Sequence, residues 1–290
     1  MSMRDPRRAL AFTGQRAGAA RVAGLGRLAV ASLHAEFALS PKPGLVTPWD
    51  AGSHADMDAR TFWRSLMALR GYFDAIARAG QAQAPFATLR QLGVQAETTM
   101  LRATGGINTH RGAIFSLGLL TAAAARLRAM SGSAPEAEAV CLAVRDWRAE
   151  LGAAPLDPDS PGQRMRRAHG VAGVREQAAL GFPLLRQVAL PALRLARETG
   201  LPSEAVQSHV LMALMAQVDD LNLLHRGGAE GLRFAREQAR AFLARGSVWQ
   251  PDWHAQLQAL GDAFVARRLS PGGSADLLAC TLFLDRQARG

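Results

Sequence analysis

Apolar residues recur every three to four positions along nearly the whole chain, and no alternating run long enough for a strand interrupts them. Punctuation by Gly, Pro and capping residues divides the pattern into eleven predicted helices. They cover 27–39, 58–79, 86–103, 109–129, 134–151, 173–181, 183–199, 203–225, 229–245, 252–268 and 274–287. Residues 1–26 read as a flexible basic N-terminal arm. "GAAPLDPDSPG" (152–162) reads as a long loop between helices of one style, and no internal repeat appears. The expected architecture is all-α, with a single multi-helix globular catalytic domain over 27–290 and functional loops at helix starts.

Composition agrees with that picture. Half the residues are hydrophobic (49%), enough for a sizeable core. Ala and Leu are abundant, and both lose little entropy in a helix. Cys141 and Cys280 sit in apolar helical patterns, which implies core positions and a reducing, cytoplasmic setting. No secretory leader pattern opens the chain, and the most apolar stretch, 112–125, is shorter than the ~20 residues a bilayer requires. A soluble protein without a membrane partner is expected. The net charge of +10 favours polyanions, but the arginines are scattered and aromatics do not interleave with them, so nucleic acid is not the expected partner.

Four polar segments break the helical pattern and carry the candidate chemistry. The first, "SPKPGLVTPWDAGSHADMD" (40–58), contains the single lysine of a chain with 33 arginines. Pro41 and Pro43 stiffen the backbone around Lys42, which would present a compact cation to a phosphate oxygen. His54, Asp56 and Asp58 alternate, and in an extended loop would face one way, a workable arrangement for Mg²⁺. Capping of the helix near 58 is the competing role for Asp56 or Asp58.

The segments "TGGINTHRG" (104–112) and "SPGGSAD" (270–276) share a design: two glycines, a small polar residue, then a long apolar helix. Backbone at Gly105–Gly106 and Gly272–Gly273 could approach a phosphate, with helix N–H groups, His110, Arg111, Ser270 and Ser274 as further donors. Asn108, Thr109 and Ser274 could equally be ordinary caps. The fourth segment, "VDDLNLLHRGG" (218–228), sets Asp219 and Asp220 in an apolar helical stripe, where carboxylates need a partner. Asp219, Asn222 and Arg226 share one face, and Gly227 reads as the left-handed residue ending the helix. Glu36 and Glu97 are further acids beside the first two segments.

Taken in order, "SPKPGLV", "GSHADMD", "AETTMLRATGGINTHRGAIFSLGLL", "REQAALGFPLLRQVALP", "DDLNLLHRGG" and "LSPGGSADLLACTLFL" resemble triphosphoribosyl-dephospho-CoA synthases, over about residues 28–287. Members commonly read NTHKG where this chain has "NTHRG", and Asp-Thr-Asn where it has "DDLN". The resemblance implies a transferase joining the triphosphoribosyl group of ATP to 3′-dephospho-CoA, with release of adenine. The product would pass to a holo-acyl-carrier-protein synthase serving malonate decarboxylase or citrate lyase. Under that resemblance Asp56, Asp58, Asp219 and Asp220 would bind Mg²⁺, and Asp219, Asp220 and Glu97 would carry the chemistry, Glu97 as base. Lys42, His54, Asn108, His110, Arg111, Arg226 and the two glycine entrances with Ser270 and Ser274 would hold the nucleotide. A Mg²⁺-dependent all-α hydrolase of a nucleotide or ADP-ribose-type ligand is the alternative. The oligomeric state is not set by these features.

Overall fold

The computed structural model describes residues 24–153 and 161–289. Its elements are helices joined by turns, with no strand among the described residues. The first, α1, covers 24–38. It is followed by α2 (Ala59–Gln81), α3 (Phe86–Thr104) and α4 (Arg111–Ser131). Next come α5 (Ala137–Ala143), α6 (Arg148–Ala153), α7 (Pro161–His169), α8 (Val174–Ala179) and α9 (Leu190–Glu198). The chain closes with α10 (Ser203–Met215), α11 (Leu221–Ala244), α12 (Trp253–Ala266) and α13 (Gly272–Ala288).

Amphipathic and all-round apolar helices take different places, as the pattern requires. On α2, Leu66, Leu69, Phe73, Ile76 and Ala77 form a buried stripe at helical spacing. By contrast α4 is buried almost continuously from Ala113 to Ala125, and α10 from Ala205 to Met215. Small residues let neighbours approach: a side chain at Gly80 would lie 2.2 Å from the Ala122 carbonyl oxygen. α4 packs on α2, α3, α5 and α13, while α10 packs on α9, α11 and α13. The buried helix α13 therefore joins the two halves. By length and composition α4 could cross a membrane, but here it is the central core helix, with two-thirds of its most apolar window (67%) buried by its neighbours.

Several predicted boundaries move. The expected helix 203–225 stops at Met215, and 216–220 is a turn before α11. Asp220 is the N-cap of α11, its Oδ1 accepting from Asn222 N at 3.0 Å, so neither adjacent acid lies inside an apolar helix. The left-handed residue downstream is Gly228 (φ 62°), not Gly227, and the helix resumes after it instead of ending. The expected helix 134–151 is interrupted by a 3₁₀ turn over Val144–Trp147. Before α9 a π turn spans Leu185–Ala189, where Pro191 has no N–H for the Gln187 carbonyl. Helix α7 was not anticipated. Of the expected arm at 1–26, residues 1–23 lie outside the described residues, and 24–26 belong to α1. Residues 154–160 of the expected loop also lie outside them.

Candidate active site

Lys42 is not presented outward from its proline turn. Its side chain is 1% exposed, and Nζ donates to Glu36 Oε1 at 2.6 Å and to the Glu36 carbonyl at 2.7 Å. The turn, which includes a cis Ser40–Pro41 peptide, folds the lysine back onto α1. Burial pulls its pKa below the ordinary lysine value, against the support of the Glu36 carboxylate.

His110 lies within the field of that ammonium. Burial and Lys42 together push its pKa down to about 4, so the ring is neutral at pH 7. Its Nδ1 is 2.7 Å from Ser65 Oγ and 3.1 Å from Thr109 Oγ1, and Phe62 meets the ring edge-on. Nε2 is buried and has no hydrogen-bond partner, the kind of vacancy that a substrate atom can fill.

Asp220 joins two helix N-termini. While Oδ1 caps α11, Oδ2 accepts from Ser274 N at 2.9 Å and Ser274 Oγ at 3.1 Å at the start of α13. Gly273 N–H adds a further bond, and the carboxylate is only 1% exposed. Burial nevertheless outweighs these donors and raises its pKa. The Gly272–Gly273–Ser274 entrance was expected to cradle a phosphate; instead an internal carboxylate fills it. The Asn222 amide packs against the same entrance, its Nδ2 only 2.8 Å from where a side chain at Gly272 would lie.

Asp276, one turn into α13, completes the group and was missed in the sequence. It retains some exposure, accepts from the Ala113 backbone at the start of α4, and feels both Glu36 and Asp220. Burial, with those two like charges adding to it, raises its pKa well above the ordinary carboxylate value, which favours the protonated form. Gly112 makes room for it: a side chain there would lie 2.0 Å from Asp276 Oδ2. The signal was available, because Asp276 is an acid in an apolar helix, the criterion that singled out Asp219 and Asp220. Ser65 had no comparable signal.

A second group adjoins through Ser270. His54 Nε2 is 2.9 Å from Ser270 Oγ, and Arg226 Nη2 donates to His54 Nδ1 at 2.8 Å. Arg226 Nη1 also donates to the carbonyls of Ser53 (2.9 Å) and Arg268 (3.2 Å). Burial and Arg226 lower the His54 pKa, while exposed Asp56, 3.5 Å away, opposes them. The guanidinium expected on a phosphate thus clamps the 53–54 turn to the 268–270 turn.

Other expected site residues lie apart. Asp58 caps α2, accepting from Thr61 N at 2.9 Å and Thr61 Oγ1 at 2.8 Å. Asp219 pairs with Arg236 at 2.7 Å beside a different cavity, of about 360 Å³, that also includes His169 and Arg240. Gly105 (φ 70°) and Gly106 (φ 91°) close α3, not open α4, whose first free N–H, at Arg111, goes to Asn108 Oδ1 at 3.1 Å. Arg111 and Glu97 form a half-exposed pair at 3.2 Å.

The four aspartates expected around Mg²⁺ therefore diverge: one caps α2, one pairs with an arginine, one bridges two helices and one faces solvent. Their donor set does not fit one shared ion, and no cluster of metal-ligating side chains occurs among the described residues.

A buried lysine, a neutral histidine with a vacant nitrogen and an acid whose pKa burial raises suit a substrate that brings negative charge and a leaving group that needs a proton. Comparison with known proteins bears on which substrate that is. Residues 22–290 match the family described as ATP:dephospho-CoA triphosphoribosyl transferase. A protein of Stutzerimonas stutzeri is 43% identical over 267 residues, 90% of this chain and 91% of its own. One of Acinetobacter calcoaceticus is 40% identical over 259 residues, 89% and 88% of the two chains. Both are named as probable 2-(5''-triphosphoribosyl)-3'-dephosphocoenzyme-A synthases. A protein of Escherichia fergusonii, 36% identical over 279 residues and 92% of each chain, has that name without the qualifier. No solved structure matches. With the match running from α1 to the last residue and the polar clusters all inside it, the chain belongs to the ATP:dephospho-CoA triphosphoribosyl transferase family.

Proposed function

We propose that the cluster of Glu36, Lys42, His110, Asp220 and Asp276 is the transfer centre of a triphosphoribosyl-dephospho-CoA synthase. A ribose hydroxyl of 3′-dephospho-CoA attacks the anomeric carbon of ATP. The carbon–oxygen bond forms, the carbon–nitrogen bond to adenine breaks, and the triphosphate stays on the transferred ribose. Two protons move: one leaves the hydroxyl and one arrives on adenine. The observation that carries the assignment is a shared helix entrance: His110, with its vacant Nε2, opens α4, and Asp276 accepts from the Ala113 backbone in the first turn of the same helix.

Asp276 gives a proton to the departing adenine, the role that suits an acid whose pKa burial and like charges raise. Glu36 and Asp220 oppose the positive charge that develops on the sugar, as carboxylates do in glycoside hydrolysis. His110 Nε2 holds a substrate atom, and burial, with Lys42 adding to it, keeps that ring neutral. Glu97, whose partner Arg111 directly follows His110, takes the hydroxyl proton. His54, Arg226 and Ser270 position the loops at the entrance, and Mg²⁺ enters as the counter-ion of the triphosphate. The enzyme works in the cytoplasm and supplies the acyl carrier subunit of malonate decarboxylase. "SPKPGLV" followed by "GSHADMD" supports that branch over citrate lyase, and loading of the product onto each purified carrier subunit separates them.

Two assays test the centre. Adenine release followed by mass spectrometry must require dephospho-CoA and yield the joined product; adenine release without it would instead mark a hydrolase. Asp276→Asn should then lower the rate with ATP by about 100-fold. The same variant should lose less than about tenfold with nicotinamide riboside triphosphate, whose pyridinium leaves without a proton. Equal losses on both donors would remove Asp276 from the proton's path.

A further inference from the structure

Outside the buried cluster, α1 and α2 enclose an open groove of about 550 Å³ lined by His34, Phe37, Pro48, Arg60, Trp63 and Arg64. Its lining is mainly apolar, and Trp63 stays 46% exposed, steadied edge-on by His34 at 5.8 Å. Core packing does not account for so open a tryptophan. Two cations stand beside it. Arg64 makes no ion pair among the described residues. The Arg60 guanidinium makes no ion pair among the described residues; it adds to the field at Asp58, whose carboxylate already accepts from Thr61 and from the Arg60 backbone.

The groove shares a wall with the transfer centre. Phe37 stacks on Phe62 at 5.8 Å, Phe62 meets the His110 ring at 5.0 Å, and Phe37 directly follows Glu36. The Phe37–Phe62 layer therefore lies between the groove and the His110 ring, and a ligand that reached both would pass its edge. Both substrates place a ribose at the centre, but they differ in what remains outside. ATP brings a triphosphate, which would leave an apolar lining unused. Dephospho-CoA brings a diphosphate followed by a long arm of methyl, methylene and amide groups.

We propose that this groove binds the diphosphate and pantetheine arm of dephospho-CoA, with Arg60 and Arg64 on the diphosphate and Trp63, Phe37 and Pro48 on the arm. The assignment rests on the transferase reading. Charge and polarity match it: two unpaired guanidiniums meet two phosphates, and the aromatic floor meets the apolar chain. The volume lies within the range of ordinary small-ligand sites.

The test uses the full chain and two acceptors, dephospho-CoA and ADP. ADP retains the ribose hydroxyls and the diphosphate but lacks the arm. Trp63→Ala should raise KM for dephospho-CoA about tenfold, the scale of losing one aromatic anchor. It should leave KM for ATP, turnover and the use of ADP within twofold. Arg60→Ala/Arg64→Ala should weaken both acceptors alike. All three side chains are exposed, so folding should survive, as circular dichroism can check. A raised KM for ATP with that for dephospho-CoA unchanged would overturn the proposal, as would a silent Trp63→Ala. Direct titration of dephospho-CoA separates the two levels. Equal binding by wild type and Trp63→Ala sinks the groove alone, whereas no binding by wild type sinks the transferase reading and the groove with it.

Discussion

Two loops that look alike in sequence, "TGGINTHRG" and "SPGGSAD", use their glycines in opposite ways. In the first, Gly105 and Gly106 adopt positive φ to close α3, and the chain takes several more residues to reach α4, with Asn108 as its local cap. In the second, Gly272 and Gly273 are already helical, and the cap comes from Asp220, 54 residues away. A glycine pair before a helix therefore does not mark an anion site by itself. What matters is which acceptor reaches the free N–H groups, and at α13 the protein supplies its own. The consequence is electrostatic: the Asp220 carboxylate is held near Asp276, where it adds to burial and Glu36 in raising that acid's pKa.

The sharpest way to break the comparison is to remove each cap. Asp220→Ala leaves donors of α11 and α13 unsatisfied in the interior and should destabilise the protein by about 3 kcal/mol. Asn108→Ala, at a half-exposed helix start, should cost about 1 kcal/mol. Urea unfolding midpoints measure both, and equal losses would mean the two entrances are equivalent after all.

The next effect is pH dependence at the first entrance. The folded His110 pKa, about 4, lies below its usual 6.5, so the unfolded chain binds the proton first as pH falls. The histidine's contribution is complete above 6.5 and is lost between there and about 4, at about 1.4 kcal/mol per pH unit. Unfolding curves at pH 7, 5.5 and 4.5 should show it as the difference between wild type and His110→Asn. Parallel pH curves for the two proteins would contradict the buried neutral ring.

The smallest effect separates the glycines. Gly106→Ala forces a side chain into positive φ and should cost about 1 kcal/mol without changing the rate. Gly273→Ala has helical backbone, but its methyl would lie 3.2 Å from Asp220. Its stability should stay within about 0.5 kcal/mol of wild type, because the helix gains alanine what the tight contact loses. Its turnover should nevertheless fall severalfold as the carboxylate shifts. Calorimetry together with the adenine-release assay distinguishes the pair.

Much of this was legible beforehand. Helix type and order followed from the 3.6-residue period, and the capping role of Asp58 was one of the two weighed for it. The run "ALMAQVDDLNLL" misled because apolar residues continue on both sides of the acids, masking a turn whose only local marker is a capping aspartate. Lys42 misled for another reason. Its proline frame predicted a stiff turn, which is present, but not that the turn would fold back onto Glu36. Of the adjacent pair Asp219 and Asp220, nothing along the chain says that one faces Arg236 and the other the start of α13.

The sequence by itself determined the all-α class, the stock of acids, cations and loop donors, and the family resemblance. These reside in local periodicity, residue chemistry and ordered motifs. Only the tertiary structure decided which donor meets which acceptor: Lys42 with Glu36, Arg226 with His54, and Asp220 with Ser274 in place of a phosphate. Hydrogen-bond satisfaction and desolvation are settled between partners that packing brings together, however far apart they lie in the chain. They decide which of the many polar residues carries a shifted pKa, and no window of sequence contains both members of such a pair.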